Sequence, residues 1–157
     1  MHFILTSIVA GVLGTLAMDA LNHLFYRLGM LSKIEVAMIG RMAAGWARGR
    51  FVYGNPGEMR QAAHETRLGY LAHYAIGIGL AGLYVTGWHF LVGGPVSTGW
   101  AVVYGLATTA ASYFFVYPCM GLGVFGRRSP ESGKSMLSPL ANHLFFGVGM
   151  GVGIALV

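Results

Sequence analysis

The sequence predicts an all-α membrane protein: a four-transmembrane-helix bundle built from two tandem helical hairpins, with an interfacial amphipathic helix in the first cytoplasmic loop. Three observations lead there. Hydrophobic residues make up 55% of the 157 residues and charged residues only 10%, against about 25% charged in soluble domains. With a mean hydropathy of +0.63, such a chain cannot cover a water-facing surface. Four apolar stretches each approach the ~20 residues that a span requires, and the basic residues gather in two of the three connections between them. A chain of this length is expected to form one integral membrane domain, residues 1–157.

The first span is expected over residues 3–25. It has no basic leader, and it ends in "DALNHLFYRLG" rather than at a small-residue cleavage site, so it reads as a span and not as a removed signal. The first connection holds Arg27, Lys33, Arg41, Arg48, Arg50, Arg60 and Arg67. It is too long for a simple turn. Within it, "SKIEVAMIGRMAAGWAR" puts Lys33, Arg41 and Arg48 on one side of a helical wheel and Val36, Met38, Ile39, Met42 and Trp46 over the rest, with Glu35 a flaw in the pattern. This predicts a helix over 32–48, either lying in the membrane interface with Trp46 as anchor or folded over the end of the bundle. Gly54, Pro56 and Gly57 then break it.

Spans two, three and four are expected over 68–91, 98–117 and 137–157, with Pro118 ending the third. The second connection, "HFLVGGPVS", has no Lys or Arg, whereas the third carries Arg127, Arg128 and Lys134. Basic loops stay in the cytoplasm, so loops one and three should face inward and both termini outward. The lone Cys119 excludes an internal disulfide and a multi-cysteine metal site. The arginines sit between apolar spans, with no basic reading helix or stacking platform, so a nucleic-acid partner is not expected.

A repeat runs through the spans. "HYAIGIG" from His73 matches "HLFFGVG" from His143, and aligning Gly11 with Gly105 sets Thr15 against Thr109 and Ala17 against Ala111. Two tandem hairpins related by an axis along the membrane normal would follow. Such an axis would set His73 and His143 at one depth, roughly 8–9 Å inside the cytoplasmic ends of their spans at 1.5 Å per residue. In "AMDALNHLF", Asp19 and His23 share a helix face. Their third-span counterparts are Tyr113 and Tyr117. The expected result is one polar layer: Asp19, Asn22, His23, His73, Asn142 and His143, with the two tyrosines opposite.

Ionisable groups inside a membrane point to function by default. Three imidazoles and a carboxylate at one depth would suit a divalent metal. Alternatively, two histidines facing across an axis could be axial ligands of a non-covalent heme, with the glycine four residues after each clearing space for a flat ring. A proton relay is a third chemistry. Set against these, a single intramembrane histidine is more often a hydrogen-bonded packing residue, at about 0.6 kcal/mol per interhelical bond. His64, beside Glu65, belongs at or beyond the interface, on a solvated face or at the mouth of the site.

Gly77, Gly79, Gly147, Gly149, Gly151 and Gly153 are expected at helix-packing faces. Gly147 with Gly151, and Gly149 with Gly153, are GxxxG pairs for internal packing or for a second copy. "GLGVFG", from Gly121, matches a nucleotide-binding fingerprint by letter, but no strand precedes it, so that reading fails. The nine methionines are scattered and form no copper stripe.

"AGVLGTLAMDALNHLFYRLG", "HYAIGIGLAGLY" and "SPLANHLFFGVGMG" resemble a family of small four-span bacterial inner-membrane proteins that is known only as a domain of unknown function. The resemblance covers nearly the whole chain. It implies a multi-pass protein of the bacterial cytoplasmic membrane and transfers no activity. Three function classes therefore stand: a His/Asp site for a metal, heme or small ligand; a small proton-linked carrier or exporter; and a structural or accessory subunit of a larger membrane complex or homo-oligomer.

Overall fold

The computed structural model describes residues 2–157, and of His2 and Ser132 the backbone alone. Among the described residues every regular element is helical. In chain order these are α1 (His2–Arg27), α2 (Val36–Trp46), α3 (Glu65–Leu91), α4 (Thr98–Ala111), a π turn (Ser112–Val116), α5 (Tyr117–Cys119) and α6 (Ser132–Ala155), with 3-10 turns at Pro56–Glu58 and Val124–Gly126. Four stretches are long and apolar enough to cross a bilayer: Phe3–Arg27, Glu65–Leu91, Thr98–Cys119 and Gly133–Ala155. The protein is a helical membrane protein, and α2 is the amphipathic helix of loop one.

Several boundaries differ by a few residues from the sequence expectation, and three of them have a clear local reason. Helix α2 starts at Val36 and not at 32, because the buried Asn22 side chain holds the preceding strand of loop: its amide donates to the Ser32 carbonyl at 3.1 Å and its Oδ1 accepts from the Ile34 N–H at 3.2 Å. Span three does not stop at Pro118. The π turn adds a residue to the helix, a common way of accommodating a local disruption, and the chain continues to Cys119. It ends where Gly121 turns to φ +78 and its N–H bonds the Pro118 carbonyl at 3.0 Å. Span four begins earlier than expected, at Ser132, and carries Pro139 inside it.

Pro139 has no N–H, so the Ser135 carbonyl four residues back loses its helical donor. Tyr117 supplies one: its hydroxyl donates to the Ser135 carbonyl at 3.2 Å, and the Tyr113 hydroxyl donates to the adjacent Met136 carbonyl. The helix tolerates its proline because neighbouring hydroxyls complete the backbone.

The chain forms two compact units, one of residues to Leu21, Tyr74–Thr108 and Ala141–Val157, the other of Asn22–His73 and Thr109–Leu140. In the first, α6 is central. Its apolar stretch is 56% buried, against 28%, 28% and 17% for the other three. The glycine alternation explains this. A Cβ at Gly147 would stand 2.8 Å from Val102 Cα and one at Gly151 3.0 Å from the Thr98 carbonyl, both on α4. A Cβ at Gly149 would stand 2.6 Å from the Leu13 carbonyl and one at Gly153 2.6 Å from Ala10 Cα, both on α1. The two GxxxG pairs thus pack α6 against two different helices of its own chain.

The second unit has its own core of Met42, Tyr53, Met59, Cys119 and Met120, with Met38, Ile39, Trp46, Val116 and Leu122 packed around it. Helix α2 contributes its apolar side to that core. It crosses α3 closely, since a Cβ at Gly40 would stand 2.9 Å from the Gly69 N. Arg41 fixes the crossing through two hydrogen bonds to Glu65, at 2.8 and 2.7 Å. The carboxylate holds the Arg41 pKa above its ordinary value.

Candidate functional site

The best-defined polar constellation lies in the first unit. Thr108, on α4, is buried, and its hydroxyl donates to the Gly105 carbonyl at 2.6 Å. The same oxygen stands 2.7 Å from Nδ1 of the half-buried His143 on α6. A hydroxyl has one hydrogen. With that hydrogen on the Gly105 carbonyl, the Thr108 oxygen accepts from His143 Nδ1–H. In the neutral ring the lone pair is then on Nε2. The Phe146 ring lies edge-on to the imidazole with centroids 6.5 Å apart. The backbone also comes close here: a Cβ at Gly105 would stand 2.7 Å from the His143 carbonyl.

Asp19, Asn142 and His143 belong to the first unit, whereas Asn22, His23, His64, His73, Tyr113 and Tyr117 belong to the second. Asp19 and His73 are half-buried, Asn142 is buried, and His23 and His64 are exposed. His64 takes a positive φ of 57 just before α3 begins. Asn22 and the two tyrosines serve the backbone: the first secures loop one, the others secure the proline turn of α6. Ser138 extends the Asn22 arrangement. Its oxygen accepts from the Ser32 N–H and the Ser32 hydroxyl, both at 2.8 Å, and its own hydroxyl donates to the Lys134 carbonyl at 2.7 Å.

Two expectations about cofactors change in the light of this geometry. Among the described residues, no three of His, Cys, Asp and Glu come together in a way that could hold a metal ion. The glycines expected to clear space for a flat ring instead admit protein. Gly77 lies against the Thr15 hydroxyl, and Gly147 lies against the α4 backbone at Val102. The first unit therefore has no heme slot at those two glycines. Gly79 differs from Gly77: a Cβ there meets nothing within 4 Å, so among the described residues it packs against no other helix of its own chain. The "GLGVFG" loop is turn chemistry, since Gly121, Gly123 and Gly126 all have positive φ.

Sequence reasoning missed Thr108, Ser32, Ser138 and the Arg41–Glu65 pair. A signal existed for the first, a threonine three residues after the crossing glycine in an otherwise apolar span. Glu65 was also visible as a lone acid at the start of an apolar run.

The family model described as "Protein of unknown function (DUF2938)" matches residues 8–157. No curated protein and no solved structure matches the chain.

Proposed function

The chain belongs to the DUF2938 family, and from that premise we propose that it is a multi-pass protein of the bacterial cytoplasmic membrane that binds a small polar ligand through the imidazole of His143. One observation carries the reading: the Thr108 hydroxyl, itself tied to the Gly105 carbonyl, fixes the orientation and tautomer of His143. A hydrogen bond at a ring nitrogen holds an imidazole in one orientation, as ligand and proton-transfer histidines are held. Asp19, in the same unit, is the further candidate contact. A small molecule or a proton fits this arrangement better than a caged metal ion or a heme. Both termini face away from the cytoplasm in this reading, with loops one and three inside.

Wild type, His143→Ala and Thr108→Val, each purified in mild detergent, would be compared by absorption spectrum, metal analysis and mass spectrometry of released small molecules. A molecule that accompanies wild type and is lost from His143→Ala is the expected result. Its absence from wild type, or equal retention by His143→Ala, overturns the reading. Single cysteines at Val92 and Glu131 test the orientation, since they should label from opposite sides of the membrane.

A purely structural role is the second reading. It is favoured by the Asn22–Ser32–Ser138 chain, in which polar residues from the expected layer are engaged with backbone. On that reading, alanine at His143 lowers stability modestly and nothing else changes.

A further inference from the structure

The second unit contains a cavity that none of the polar-layer residues line. It measures about 180 Å³ and is bounded by Arg48, Arg50, Tyr53, Glu58 and Arg60, where a single water needs only about 10–15 Å³. Three arginines and one carboxylate are among the residues that line it. Glu58 is already engaged: it bonds Arg50 at 2.5 Å, accepts from the Asn55 amide at 3.0 Å and from the Gly54 N–H at 3.3 Å. Arg50 is further steadied over the Tyr53 ring, 4.4 Å from its centroid. Among the described residues Arg48 and Arg60 have no carboxylate partner. A fourth guanidinium, that of Arg128, is tied to the same loop through the Gly54 carbonyl at 2.9 Å.

The cavity's surroundings say what kind of anion it meets. Phe51 and Val52, between Arg50 and Tyr53, are 59% and 62% exposed. The Trp46 indole N–H donates to the Phe51 carbonyl at 3.3 Å, and the Trp46 and Phe51 rings lie 6.5 Å apart. An exposed apolar pair flanked by arginines, beside a tryptophan, matches the profile of a membrane surface: rings and branched chains reach the acyl boundary while guanidinium groups stay at phosphate level. Guanidinium also suits phosphate geometrically, through paired N–H donors.

We propose that this cavity binds the phosphate of an anionic phospholipid headgroup, with Arg48, Arg50 and Arg60 as ligands to the phosphate and Phe51 and Val52 as the acyl-side anchor. The site is independent of His143. Glu58 and Tyr53 hold Arg50 in place, and the three arginines outnumber the one carboxylate, so the lining stays net positive toward an anionic headgroup.

The test uses the full chain in neutral detergent, with melting temperature measured against added phosphatidylglycerol, phosphatidylcholine or inorganic phosphate. Phosphatidylglycerol should raise the melting temperature saturably and phosphatidylcholine should not. Arg48→Gln with Arg60→Gln should weaken the apparent phosphatidylglycerol affinity about thirtyfold while leaving the lipid-free melting temperature in place. Arg48→Lys with Arg60→Lys should recover part of the loss, which separates charge from fold. Phe51→Ser with Val52→Ser should also weaken the lipid effect. Equal responses to the two lipids, or an unchanged response in the Gln pair, overturns the site. An inorganic phosphate effect as strong as that of phosphatidylglycerol overturns the lipid as its occupant.

Discussion

Two helix crossings in the first unit use the same device with different results. Where α1 meets α3, a Cβ at Gly11 would stand 2.8 Å from the Ile78 N, and Gly77 lies against Thr15. Where α4 meets α6, a Cβ at Gly105 would stand 2.6 Å from Gly147 Cα. Gly77 and Gly147 hold the same place in the two HxxxGxG stretches, and Gly11 and Gly105 lie against them. The hydroxyls then diverge. Thr15 donates to the Gly11 carbonyl at 2.8 Å, a bond within its own helix. Its counterpart Thr109 is buried, and its hydroxyl has no partner among the described residues. The carbonyl it would use, that of Gly105, already accepts from Thr108. Thr108 in turn receives His143. The counterpart of Thr108 in α1 is Gly14, which offers no hydroxyl. At both crossings a threonine closes on its own helix backbone, and at the second that threonine also meets an imidazole.

The largest effect should come from blocking the crossings themselves. Gly11→Val and Gly105→Val both insert side chains against facing backbone, and overpacking of that kind costs roughly 1–3 kcal/mol or more. Each should sharply reduce the monodisperse fraction on size exclusion and lower the melting temperature. If one variant behaves like wild type while the other collapses, the two crossings are not equivalent and the parallel fails.

The next effect concerns Pro139, a feature that α6 has and α3 lacks. Tyr117→Phe removes the donor to the Ser135 carbonyl, and an unpartnered buried polar group costs about 1–3 kcal/mol. Adding Pro139→Ala should recover most of that loss, because the new N–H can reach the same carbonyl. Additive losses in the double variant would show that the tyrosine acts in some other way.

A smaller effect separates the two threonines. Thr108→Val should cost about 0.6 kcal/mol, the usual value of an interhelical side-chain bond in a membrane, and Thr15→Val, which loses only a bond within its own helix, should cost no more. Only Thr108→Val should alter the tautomer balance of His143, read from histidine nitrogen chemical shifts. An unchanged His143 spectrum would remove the orienting role that the proposed function needs.

Composition made the fold legible, because span length and loop charge act over whole segments and survive local irregularity. The boundaries were less legible, since each depends on a partner distant in the chain. Nothing near Ser32 announces that Asn22 will hold it extended, and nothing near Pro139 announces that Tyr117 will restore the missing donor. The glycine pairs were legible as packing residues, but which helix each would meet was not. The residue types of the polar layer were also legible, but their duties were not. His23 and Asp19 are four apart on one helix, yet one is exposed and the other half-buried. Periodicity gives a common face, whereas burial depends on what packs there.

The smallest effect is the most discriminating test of how the glycines divide. Gly77 and Gly79 are two residues apart on α3, and sequence assigned both to packing. A methyl at Gly77 would collide with the Thr15 hydroxyl and come 3.3 Å from the Gly11 carbonyl, whereas a methyl at Gly79 meets nothing within 4 Å. Glycine inside a helix carries a backbone-entropy penalty of roughly 0.5–1 kcal/mol relative to alanine. Gly79→Ala should therefore leave the melting temperature unchanged or raise it slightly, and Gly77→Ala should lower it. Alanine one turn deeper than His73 would then be forbidden on one face and welcome on the other. If Gly79→Ala destabilises as much as Gly77→Ala, that face is covered by a second copy or another protein in the membrane. The two glycines of HxxxGxG would then both be contact residues, one within the chain and one outside it.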